Sequence, residues 1–133
     1  MRNNIKLLLF LIFICSMVLF VHNNPCNEKV IDNIRYGFNG IVAEKIQVRK
    51  GIVSHAKIKL EDKDTLVFLS NIEKVAVGDS IKKFANSPFY YYKHNGLWNK
   101  QIFEMITEDL QTGRCFPKEW EKKCTEEWKE ACK

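Results

Sequence analysis

Hydrophobic positions change period several times along this chain, and each change marks a segment. From Leu7 to Val21 the run is apolar and uncharged, with Arg2 and Lys6 ahead of it. Fifteen residues at 1.5 Å each reach about 22 Å as a helix, short of the roughly 30 Å hydrocarbon core of a bilayer. The length predicts an N-terminal apolar helix over 1–22, a signal-peptide core or a short signal anchor that meets the membrane through residues 5–21. A retained anchor, a cleaved leader and a lipidated one all stay open. "VLFVHNNPC" lacks the small residues that a signal peptidase prefers, and neither Cys15 nor Cys26 follows a small residue as lipidation requires. Basic residues ahead of the run keep the N-terminus inside, so the remainder faces outward.

Residues 23–37 read as a polar linker that gains Val30, Ile31 and Ile34 and so begins to dock. The period then shortens to two. "FNGIVAEKIQVRK", "IVSHAKIKL" and "TLVFLS" predict three strands joined at Lys50-Gly51 and at the charged turn "EDKD". A fourth strand begins at Ser80 after a Gly78-Asp79 turn, and "FYYYKH" gives a fifth after Asn86-Ser87-Pro88. Asn95-Gly96 is a tight-turn signal. It favours a returning strand up to Ile106 over the helix that Trp98, Ile102, Met105 and Ile106 also allow. Residues 38–110 therefore predict a mainly β domain, an antiparallel five- or six-stranded sheet curved into a small barrel.

The tail, 111–133, predicts a C-terminal amphipathic helix starting at Pro117. On a helix, Trp120, Cys124, Trp128 and Cys132 form one stripe at i, i+4 steps, with Glu119 and Lys123 paired beside it. Cys124 and Cys132 would then stand two turns, about 12 Å, apart and could not bridge. Outside the leader four cysteines remain: Cys26, Cys115, Cys124 and Cys132. An even set in an oxidising compartment predicts two disulfides, with Cys115–Cys124 and Cys26–Cys132 the preferred pairing and reduced cysteines the alternative.

Charge narrows the partners. Without Arg2 and Lys6, 19 basic residues face 16 acidic ones, a net +3, which is too weak a field for nucleic-acid binding. "GDSI" (Gly78, Asp79, Ser80, Ile81) matches the nucleophile block of one esterase and lipase family, but no Asp-x-x-His follows it. Only 53 residues remain after Ser80, too few for that family's α/β sandwich. A turn is the plainer reading, and a Ser80 hydrolase using His55 or His94 is the minor alternative. His22, His55 and His94 are scattered with no ligand spacing, so neither a metal nor a cofactor is expected. Alternation in "FYYY" sends Phe89 and Tyr91 to one face and Tyr90 and Tyr92 to the other, and core packing is the plainer reading; with Lys93, Tyr90 and Tyr92 offer a stacking platform for an oligosaccharide or peptide if they are exposed.

"FNGIVAEK", "VGDSIKK", "NSPFYYYK" and "HNG", between Phe38 and Gly96, resemble small, uncharacterised exported bacterial proteins. These carry a short leader and one compact β domain with a V-G-D-S-I-x-K turn motif. The resemblance covers a little under half of the chain and implies no catalytic residues. The expectation is a non-catalytic cell-envelope protein, anchored or secreted, that binds or scaffolds an envelope protein or glycan.

Overall fold

A computed structural model describes residues 2–23 and 26–133. Met1, Asn24 and Pro25, the first residue of the expected leader and two of the expected linker, lie outside the described residues. Helix α1 (Arg2–Asn23) carries the Leu7–Val21 run, and its large apolar side chains from Ile5 to Phe20 are exposed. Among the described residues no helix is long and apolar enough to cross a membrane.

The expected linker contains a helix, α2 (Glu28–Arg35). The Asn27 side chain caps it by accepting from the Val30 N–H, and Ile31 and Ile34 are buried one turn apart. Its C-terminal carbonyls are held by Lys83 and Ser87. Ser87 N–H donates to Ile34 O at 3.1 Å, and Lys83 Nζ donates to Ile34 O, Tyr36 O and Phe84 O. A lysine is suited to a helix C-terminus, where orphan carbonyls and the negative dipole end converge.

Six antiparallel strands follow: β1 (Phe38–Arg49), β2 (Ile52–Lys59), β3 (Asp64–Phe68), β4 (Ser80–Lys83), β5 (Phe89–His94) and β6 (Leu97–Ile102). The turn signals act as expected. Gly51 sits at φ +77°, and Asn95 and Gly96 both take positive φ, +49° and +81°, as a two-residue primed turn requires.

Their order is β3-β2-β1-β4-β5-β6 in one open sheet, so the expected barrel does not close. β3 and β6 are the edges. The sheet curls enough for side chains to span them at one end, where the Ser70 hydroxyl donates to Ile102 O and the Asn71 amide to Gln101 at 3.0 Å. A backbone ladder does not form there because β3 stops at Phe68 and the chain turns into a short 3-10 segment, Ile72–Lys74.

Both faces of the sheet carry a core. One packs Phe38, Val42, Ile58, Ile81, Tyr90 and Tyr92 with Phe103 over them. The other packs α2 and the tail against Phe89 and Ile106, through Ile34, Phe116, Trp120 and Trp128. β1 meets β2 closely enough that only glycine fits at position 40. A Cβ there would stand 2.4 Å from Lys59 O and 2.8 Å from Ile58 Cγ2. Gly40→Ala is expected to cost about 1–3 kcal/mol through backbone displacement, measurable as a lower urea midpoint at unchanged m.

The tail departs from a single helix. After α3 (Glu108–Thr112), capped by Thr107, α4 runs only from Lys118 to Thr125. The chain then turns, with Trp128 N–H donating to Lys123 O at 2.7 Å, and the end pairs with Ile106 through Ile106 N–H to Ala131 O. Trp120 and Trp128 still share one cluster, their ring centroids 5.5 Å apart.

Candidate functional site

Because the helix ends early, the cysteines pair otherwise than expected. Cys26 bonds Cys115, and Cys124 bonds Cys132 with Cα atoms 5.5 Å apart. The exclusion of Cys124–Cys132 assumed helix throughout, and the turn after Thr125 removes that assumption. The set of four is nonetheless fully paired, which fits an oxidising compartment. Cys26, Glu28 and Cys115 bring three possible ligand atoms together, but both sulfurs are already in the disulfide.

"GDSI" forms a turn. Gly78 takes φ +95°, and the buried Asp79 carboxylate accepts from Ala76 N–H at 2.8 Å and meets His94 Nδ1 at 3.0 Å. An Asp–His pair next to a serine is the makings of a triad, but the pleat separates Ser80 from His94. Ser80 pairs with Lys93 and Ile81 with Tyr92, so Ser80 and His94 leave the sheet on opposite faces. His55 Nδ1 lies 2.8 Å from Ser54 Oγ, and among the described residues neither histidine bonds Ser80.

The tyrosines pack into the core, and the stacking platform does not form. Tyr90 is fully buried and Tyr92 is 6% exposed, both in the first core. Alternation places Phe89 and Tyr91 on the other face as expected, but α2 and the tail cover that face too, over Phe89. The Tyr90 hydroxyl donates to Ser70 O at 2.7 Å, and burial, with Tyr92 and Glu73 adding to it, pushes its ionisation well above the ordinary range. Of the three residues expected to bind ligand, only Lys93 is exposed.

The gap beside β3 is open. Leu69 N–H donates to Ser54 O, which by alternation turns the N–H and C=O of Thr65 and Val67 toward β2. Those of Leu66 and Phe68 point away from the sheet. They border a cleft of about 340 Å³ whose other lining includes Lys29, Asn33, Tyr36, Phe103 and Glu104. A second hollow of about 340 Å³ continues it and shares Phe68, Phe103 and Glu104. The Leu66 and Phe68 side chains are 53% and 54% exposed, so the edge is apolar as well as unpaired.

Charge in the cleft comes from Glu104 and Lys29 in its lining, with Lys83 close by. The Asn33 amide donates to Glu104 at 2.6 Å. Burial raises the Glu104 carboxyl above its usual range, against the lowering effects of Asn33, Lys29 and Lys83. Lys83, 3% exposed with Nζ 5.1 Å from the Phe103 ring centroid, is lowered by burial to about 8, with the Glu104 charge acting the other way.

The sequence reading missed these residues. A signal existed for Lys83, since alternation in "SIKKF" sets it on the same face as Ile81 and so directs a lysine into a core. Nothing local marks Phe103 and Glu104, which reach the cleft only through the curl of the sheet. No protein-family model matches the chain, no curated protein matches it significantly, and no solved structure does, so the likeness to exported β-domain proteins stays an expectation.

Proposed function

We propose that this chain is a non-catalytic binding module of the cell envelope that captures an extended peptide segment along β3. The observation that carries the reading is the cleft beside the outward N–H and C=O groups of Leu66 and Phe68. A free edge bordered by apolar side chains is a template for strand addition, with backbone bonds giving affinity and alternate side chains giving selectivity. Glu104 and Lys29 in the cleft lining favour a peptide that carries charge of both signs. The two disulfides support an oxidising location. The basic residues ahead of Leu7 support export, by a short anchor or a cleaved leader.

The test is selection of random peptides displayed on phage against the oxidised full chain, with Leu66→Pro as the discriminating variant. Proline is tolerated where an edge N–H faces out, so the domain should stay folded. Loss of one donor and of strand docking is expected to weaken the selected peptides by about tenfold or more. Equal binding by the variant would overturn the reading.

A further inference from the structure

The face opposite the first core is only half covered. The tail and α2 lie over Phe89, while the part toward the β5–β6 turn is bare. Cross-strand pairs define its surface: Lys82 opposite Tyr91, Tyr91 opposite Lys100, and Lys93 opposite Trp98. Trp98 is 46% exposed and Phe84 56%, and Lys82 Nζ lies between them, 4.3 Å from one ring centroid and 5.3 Å from the other. Among the described residues neither Lys82 nor Lys93 is ion-paired, and Lys100 alone of the three meets a carboxylate, that of Glu130.

We infer that this face docks on an anionic lipid surface, with Phe84 and Trp98 at the headgroup level and Lys82 and Lys93 against the phosphates. Two observations choose that occupant. The face carries cations without counter-ions among exposed aromatic side chains, the mixture that partitions to a charged bilayer interface. The Leu7–Val21 run ends close by in sequence. Four residues separate α1 from α2, and an extended chain of that length spans about 14–18 Å. α2 packs on the same side of the sheet, so the linker joins the Leu7–Val21 run to the side that carries this face. The choice of occupant rests on the envelope reading above; the peptide cleft, lined from β3, is a separate site.

The probe is the full chain reconstituted into vesicles of phosphatidylcholine alone or mixed with phosphatidylglycerol, with acyl chains brominated as quenchers. Trp120 and Trp128 are buried, so Trp98 dominates the quenchable signal, and Trp98→Phe defines the background. Trp98 fluorescence should be quenched and blue-shifted only in the anionic vesicles. The Lys82→Glu/Lys93→Glu double variant should lose the quenching while still floating with both vesicle types through α1. Flotation without Trp98 quenching in anionic vesicles would overturn the inference and leave the envelope reading standing. Failure to float with phosphatidylcholine would instead count against α1 as an anchor. Concentration-dependent shielding of Trp98 from acrylamide in detergent would assign the face to a second copy of the chain and also overturn lipid docking.

Discussion

Replacing Cys26 and Cys115 together by serine is expected to lower the stability of the domain by about 4–5 kcal/mol. The bond joins residues 89 apart in sequence, so in the unfolded chain it closes nearly the whole domain into one loop. Loop-closure entropy grows with the logarithm of loop length, which makes this the dominant covalent restraint. It fixes the start of α2 to the start of the tail, and those two elements supply most of the second core. The matching pair of serines at Cys124 and Cys132 closes only eight residues and should cost about 2–3 kcal/mol. Urea unfolding of the three proteins, with Cys15 alkylated, measures both. Equal losses from the two double variants would show that native-state packing rather than chain entropy carries the effect.

Lys83→Met is expected to destabilise by about 2 kcal/mol at pH 7, and the deficit should widen above pH 8. Methionine removes the donor to Tyr36 O and Phe84 O, whereas Ile34 O keeps the Ser87 N–H. The pH effect follows from the sign of the shift. Burial lowers Lys83 from 10.5 to about 8 in the folded protein. Between those values the unfolded chain still holds a proton that the folded chain has released. Stability from this group therefore rises with pH, by on the order of 1–2 kcal/mol from pH 8 to 10. Tyr90 acts in the opposite sense higher up, because its raised ionisation lets only the unfolded chain release the proton above about pH 10. Thermal melts of both proteins from pH 6 to 10 should show a rising difference above pH 8. A constant difference would mean that Lys83 titrates normally.

Strand positions were legible because period-two alternation and turn chemistry are local. "FYYYKHNGLW" states both strands and their turn, and β5 and β6 pair across Asn95-Gly96 as written. The tail shows the limit. "CTEEWKEAC" contains neither glycine nor proline, so no local signal ends the helix at Thr125. The ending comes from Trp128 folding back onto Trp120 and from the bond to Cys132. Disulfide partners, coverage of the second face of β5 and the failure to close a barrel are likewise relations between distant segments. Alternation assigns the tyrosines to faces and makes core packing the plainer reading, but it does not say that both faces are covered. The cleft was the least legible feature, since Leu66 and Phe68 read as an ordinary buried strand until β3 is seen to be an edge.

The most direct measurement is amide hydrogen exchange of the oxidised full chain, free and with a peptide selected on it. Leu66 and Phe68 N–H groups point away from β2, so in the free protein they should exchange faster than those of Thr65 and Val67. With the peptide bound, Leu66 and Phe68 should become protected while Thr65 and Val67 change little. Protection appearing elsewhere, with these two amides still exchanging freely, would contradict the assignment of β3 as the binding edge.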